Sequence, residues 1–286
     1  MGQARVVLKI FALIYFIQTI AAQRPYNDLR ARFAVDPTQG FYEIPLTTNS
    51  SLISNYVQVQ PDSNVGLPVT QYCYPDDPRV CWYYDMNGVV AGVQITYLEQ
   101  DVADINPVPY NYSAVGGFVP TNLMNQPGYG FRAYFTNPST LTSAGRQILN
   151  ETVEGLWVYL NGDLVQVQRN EPSPDQTYIS GFNRQNCFPR MGQHYFYRMS
   201  NDIPCNQLLP FYPLYQGGGL VGFGIADFGK GSDGPQRVWY ERPPLAGVQA
   251  ILENRPACLD TWVQMYGLYS LHVYFVDHPW EISCPA

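Results

Sequence analysis

The chain of 286 residues contains three histidines, His194, His272 and His278, so metal or acid–base chemistry at neutral pH must draw on them or on carboxylates. His194 lies in the block Met191-Gly-Gln-His-Tyr-Phe-Tyr and His272 in Leu271-His-Val-Tyr-Phe. The two are expected on neighbouring strands with their side chains on one face, where a neutral imidazole pair can hold a divalent metal such as copper or zinc. Tyr195, Asp227, Glu241 and Asp277 are the candidate third donors. The competing reading is structural: two half-buried rings satisfied by tyrosine hydroxyls or backbone carbonyls. Gly217-x-Gly219-x-x-Gly222 matches the dinucleotide fingerprint as a string, but Leu220 to Ile225 reads as a strand where the fingerprint needs a helix. No Gly-x-Ser-x-Gly, His-Glu-x-x-His or Walker-type string occurs, which closes the familiar hydrolase and zincin routes.

Positioning the histidines falls to strands. Tyr, Val, Phe and Ile runs are bounded by Gly, Pro, Asn and Asp, and alternation is plain in Val165-Gln-Val-Gln and from Val89 to Tyr97. Asn87-Gly88 and Asn161-Gly162 carry the type I′ hairpin signal. Helical spacing is confined to Val248, Ile251 and Leu252 after Pro243-Pro244, and to Leu259 through Tyr266 before a strand at Leu268. With 24 prolines and 24 glycines supplying turns, the pattern predicts a mostly β fold with a few short helices.

An internal repeat organises the strands. Tyr129-Gly-Phe-Arg-Ala-Tyr-Phe answers Tyr269-Ser-Leu-His-Val-Tyr-Phe, and Trp82 to Ile95 answers Phe211 to Ile225. Gly40-Phe-Tyr followed by Val57-Gln-Val-Gln answers Gly155-Leu-Trp followed by Val165-Gln-Val-Gln. Three blocks in one order predict a tandem duplication of a β-rich domain, with copies over 23–150 and 151–286. On this alignment His272 falls at Arg132 and His194 near Tyr72, so the His pair belongs to the second copy.

The compartment follows from the start of the chain. Arg5 and Lys9, an apolar run from Ile10 to Ile20 and the small pair Ala21-Ala22 read as a signal peptide over residues 1–22. No later stretch is long and apolar enough for a membrane span. Six cysteines follow the leader, as expected of a chain oxidised on secretion, and sequence proximity predicts Cys73–Cys81, Cys187–Cys205 and Cys258–Cys284 bridges. Asn49, Asn111 and Asn150 head glycosylation sequons. Without the leader, 14 basic residues face 23 acidic ones and Lys230 is the remaining lysine, so no basic stripe is left to neutralise phosphates, and nucleic acid and anionic membrane surfaces are poor partners. The 23 tyrosines follow strand alternation and form no low-complexity tract.

The His194 block, then Leu209-Pro-Phe-Tyr-Pro-Leu-Tyr-Gln-Gly-Gly-Gly-Leu-Val-Gly-Phe-Gly, Cys258-Leu, the His272 block and the late Trp280 and Cys284 together resemble a family of secreted, arthropod-type invertebrate proteins. A fainter likeness is to small bacterial domains with Met-Gly-x-His-aromatic and a late His-x-aromatic strand. The resemblance implies secretion and paired cysteines and brings no catalytic residues. The functional expectation is a secreted, disulfide-bonded glycoprotein that binds an extracellular ligand or matrix component without catalysis. The alternative is a metal-binding protein or metal-dependent enzyme built on His194 and His272.

Overall fold

Alternating apolar and polar residues draw the chain into antiparallel strands. The computed structural model describes residues 26–34, 36–103, 110–147, 151–171, 178–179, 181–209 and 211–285. The expected leader and Asn150, the acceptor of the third sequon, lie outside them. A short hairpin, β1 (Arg30–Ala31) and β2 (Tyr42–Glu43), is followed by β3 (Val57–Val59), β4 (Thr70–Tyr74), β5 (Asp77–Tyr84) and β6 (Val90–Leu98). Two short helices, α1 (Glu99–Val102) and α2 (Tyr112–Val115), lead to β7 (Phe118–Leu123) and β8 (Gln126–Tyr134). A second hairpin, β9 (Leu156–Leu160) and β10 (Asp163–Val167), precedes β11 (Tyr178–Ile179), β12 (Phe182–Phe188), β13 (Gly192–Tyr197), β14 (Phe211–Gln216) and β15 (Gly219–Phe228). Helices α3 (Leu245–Ile251) and α4 (Ala257–Tyr266) stand where helical spacing placed them, before β16 (Leu268–Tyr274).

The fold is mostly β, as expected, in two antiparallel sheets. One runs β10-β9-β8-β6-β5-β4-β3, with β7 also paired to β8; the other runs β11-β12-β13-β14-β15-β16-β1-β2. Their registers correspond. Gln71, Tyr83, Gly92 and Tyr134 stand side by side across β4, β5, β6 and β8. His194, Leu214, Gly222 and Tyr274 stand likewise across β13 to β16. A register shift follows Tyr83 in one sheet and Leu214 in the other. The expected division near residue 150 is crossed in both directions. Hairpin β1–β2 pairs with β16 of the second half, and β9–β10 pairs with β8 of the first. Each hairpin covers a strand whose ladder would otherwise end in bare N–H and C=O groups.

Between the sheets lies one apolar core. Trp82, Val93, Ile95, Phe131 and Phe135 from one side and Phe211, Phe223, Ile225, Leu271 and Phe275 from the other are buried in a single cluster. Phe131 stacks on Phe211 at 5.2 Å between ring centroids, and Phe135 meets Phe275 edge-on at 5.5 Å. Because side chains alternate along a strand, Tyr212, Gly224 and His272 fall on the opposite, outer face of their sheet.

Turn chemistry separates the two expected type I′ hairpins. Asn161 and Gly162 both have positive φ, 54° and 87°, as that turn requires. At Asn87-Gly88 only the glycine does, at 77°. There the Asp85 carboxylate accepts from the backbone N–H groups of Asn87 and Val89 at 2.8 and 3.1 Å, closing a longer loop that needs one left-handed residue. The fingerprint glycines serve the β14–β15 hairpin. Gly217 and Gly218 make its turn with φ of 58° and 84°, and a Cβ on Gly222 would fall 2.3 Å from the Val273 carbonyl oxygen.

All six cysteines are paired, and Cys73–Cys81 forms as expected across β4 and β5. The other two expected bridges are corrected. Cys187 pairs with Cys284 and Cys205 with Cys258, with Cα atoms 5.7 and 6.1 Å apart. Proximity in sequence misleads because Cys187 sits on β12, against the C-terminal segment, whereas Cys205 opens a 3₁₀ turn before β14, beside the start of α4.

Candidate functional site

His194 and His272 project from the outer face of the second sheet into one cavity. They are not on neighbouring strands, as the sequence led us to expect. Strands β14 and β15 lie between β13 and β16. The rings approach because β15 offers glycine there. Gly222 and Gly224 leave room over the strand, and Tyr212 lies across Gly224, where a Cβ would sit 2.2 Å from the Tyr212 ring. The Tyr212 ring centroid is 5.4 Å from that of His194 and 5.6 Å from that of His272. Helices α3 and α4 roof the cavity with Val248, Ile251, Leu252 and Leu259, while Met191, Phe196, Met199 and Leu208 close its sides. Its volume is about 70 Å³.

The roof is fastened to the sheet at several points. The Cys205–Cys258 bridge holds the start of α4. Asn186 donates its side-chain N–H to the Ala250 carbonyl at 3.0 Å, and the Asn254 N–H donates to the Gln185 side chain at 3.0 Å. Arg255 grips both carboxylate oxygens of Asp260 at 2.7 and 3.1 Å.

At the polar floor, proton positions follow from the partners. His272 Nδ1 lies 3.0 Å from Glu241 Oε1, which also accepts from Ser270 Oγ at 2.9 Å. A bare ring lone pair facing that carboxylate would be repelled, so the proton belongs on Nδ1, although its N–H points off the ideal line. His272 Nε2 is then the acceptor for the Tyr212 hydroxyl, 3.0 Å away. His194 differs. It is 1 % exposed, and neither ring nitrogen meets a partner with hydrogen-bond geometry. Burial, reinforced by the nearby His272, pushes its pKa down to about 3, and the Gly192 and Asn186 backbones offset this only in part. His194 is therefore neutral at physiological pH, with one donor and one acceptor to offer.

The expected third donors separate. Glu241 stands at His272. Tyr195 points to the other face of β13, where its hydroxyl meets Glu171 at 3.2 Å. Asp227 accepts from the Tyr112 hydroxyl and from the Phe228 N–H, and burial raises its pKa to about 8. Asp277 lies at the surface beside His278, 2.8 Å from Nδ1. Among the described residues no group of three or more His, Cys, Asp or Glu side chains is placed to hold a metal ion. Tyr212 and Ser270 escaped the sequence reading. The signal for Tyr212 was its alternation with the inward Phe211, opposite a strand of glycines.

The equivalent place in the first sheet is filled. By register Gln71 answers His194, Gln94 answers Gly224, Arg132 answers His272, and the Cys73–Cys81 bridge answers the stacked Phe196–Tyr212 pair. By strand register Arg132 thus stands where His272 does, and Gln71, one residue from Tyr72, where His194 does. Gln94 accepts from Arg132 Nε at 2.8 Å and from the Tyr83 hydroxyl at 2.6 Å, and donates to Thr121 at 3.1 Å. Arg132 also reaches the Asn64 carbonyl at 3.2 Å. A hydrogen-bonded network thus occupies in one sheet the position that a cavity occupies in the other, although Gln71 itself is buried with neither side-chain polar atom partnered. No family model, curated protein or solved structure matches the chain.

Proposed function

We propose that the protein is a secreted binding protein without catalysis, and that its ligand site is the roofed cavity of the second sheet. The ligand is a small, mostly apolar molecule with one hydrogen-bonding head group. The observation that carries this reading is His194, buried against the cavity with neither ring nitrogen in a well-formed hydrogen bond, the nearby Gly192 and Asn186 backbones lying off the required geometry. A buried polar group left without a partner costs about 1–3 kcal/mol, and a head group hydrogen-bonded to one ring nitrogen would recover that nitrogen's share. Apolar walls with a few convergent polar groups are the ordinary make-up of a small-molecule site. A cavity of about 150 Å³ accepts benzene, so this smaller one suits a chain of three or four carbons with a hydroxyl. Calorimetric titration with straight-chain alcohols tests it. Saturable binding, best at three to four carbons and weakened at least tenfold in His194→Phe, is expected. Absence of saturable binding at any chain length contradicts it.

Secretion, glycosylation at Asn49 and Asn111, and kinship with the secreted arthropod-type proteins form the setting of this reading. Both asparagines are exposed, and three disulfides with no described helix able to cross a membrane are compatible with an extracellular protein. The matched registers of the two sheets support descent by duplication. The metal reading draws on one feature: Glu241 on His272 Nδ1 is the carboxylate–imidazole pairing that orients metal-bound histidines. Tyr212 stands between the two imidazoles and would have to act as a donor or move aside. Elemental analysis of the secreted protein distinguishes the readings. Stoichiometric copper or zinc, lost in His272→Arg, would favour the metal.

A further inference from the structure

Away from the cavity, where β2 of one sheet meets β3 and β4 of the other, a single guanidinium is enclosed by aromatic rings. Arg237 Cζ lies 4.1 Å from the Tyr74 ring centroid, 4.3 Å from Tyr42, 5.3 Å from Trp239 and 5.9 Å from Tyr56. The rings hold one another: Tyr56 meets Tyr74 at 4.6 Å, Tyr42 meets Trp239 at 5.6 Å and Tyr74 meets Trp239 at 5.8 Å, all edge-on. Trp239 is fixed further by donating its indole N–H to Asp77 at 2.9 Å.

The enclosure fits its occupant imperfectly. A guanidinium carries five N–H donors and seeks oxygen acceptors in its own plane. Here Arg237 Nη1 is buried and donates to none. The Tyr56 and Tyr74 hydroxyls interact with the guanidinium but leave Nη1 unmet, and four aromatic rings around one cation suit a group that has no N–H at all, the chemistry by which aromatic cages take quaternary ammonium groups. The backbone around Arg237 is anchored, since the Gly234 N–H donates to the Arg237 carbonyl at 3.0 Å and the Tyr42 hydroxyl to the Val238 carbonyl at 3.3 Å. Tyr42 and Arg237 itself are only partly buried, so a turn of the arginine side chain alone would open the cage to solvent. The chain's negative net charge favours approach of a cation.

We propose that Tyr42, Tyr56, Tyr74 and Trp239 form a binding site for a quaternary or trimethylated ammonium group, which Arg237 occupies from within the chain and must yield to a ligand. The test is calorimetric titration of wild type and Arg237→Ala with choline and with 3,3-dimethyl-1-butanol, its uncharged isostere. Arg237→Ala is expected to bind choline at least tenfold more tightly than wild type does, and at least tenfold more tightly than it binds the isostere. Adding Tyr74→Leu should abolish that preference. A folded Arg237→Ala protein that does not distinguish choline from the isostere overturns the proposal. If Arg237→Ala fails to fold, Arg237→Met, which keeps the apolar stem, carries the same titration. Failure of both to fold makes the guanidinium a structural pin and overturns the proposal as well.

Discussion

His194 and Asp227 are both fully buried, and burial moves their pKa values in opposite directions with opposite consequences. His194 holds its proton only below about pH 3 in the folded chain, whereas an unfolded histidine takes one up near pH 6.5. The unfolded state therefore binds more protons between those values, and the protein loses stability as pH falls through that window. His194→Phe removes this dependence, and urea midpoints at pH 7 and pH 4.5 should differ less in the variant than in wild type. Asp227 keeps its proton up to about pH 8 because burial penalises the carboxylate, the Tyr112 hydrogen bond opposing this only in part. Its unfolded counterpart ionises near pH 4, so stability falls as pH rises from about 4 to about 8. Asp227→Asn should flatten that decline, worth several kcal/mol at most, when chemical denaturation is followed across the same range. A variant whose pH profile parallels wild type would show the carboxylate to be solvated.

At the scale of elements, the roof of the cavity depends on long-range covalent ties. Cys205–Cys258 closes a loop with a sequence separation of 53, and removing a bridge of this kind costs about 2–4 kcal/mol. The double variant Cys205→Ser, Cys258→Ser should exchange amide hydrogens faster over 245–266 and bind the alcohols more weakly, while protection in β5, β6 and β8 is retained. Uniform loss of protection across both sheets would mean that the roof is no separable unit. Peptide mapping without reduction should yield Cys187–Cys284 and Cys205–Cys258 peptides. The strands and the two roof helices were legible because hydrophobic period and proline placement act locally: Pro243-Pro244 and then Val248, Ile251 and Leu252 specify α3 with no knowledge of its partners. The bridges were not legible, since which cysteines meet depends on where β12, the 3₁₀ turn and α4 dock. For the same reason His194 and His272 were recognised as a pair while Tyr212, placed between them by strand order and by the bare backbone of Gly224, was missed.

The whole molecule is two matched sheets that exchange hairpins and share a core, so its halves should not be independent. Fragments 23–150 and 151–286 each lack the hairpin that covers their own outer strand; neither should unfold cooperatively alone, and mixing them should restore a cooperative transition. The matched registers also give the cavity its meaning. Gln94, Arg132 and Asn64 fill on the first sheet the place that the cavity takes on the second, while Gln71, at the position of His194, is like it buried without a hydrogen-bond partner. A crystal structure of the protein grown with 1-butanol tests this contrast most directly. The account predicts butanol beneath α3 and α4, its hydroxyl within hydrogen-bond distance of His194 and its chain against Leu252 and Leu259. Butanol bound elsewhere, or a cavity without it at concentrations that saturate the protein in solution, would contradict the account.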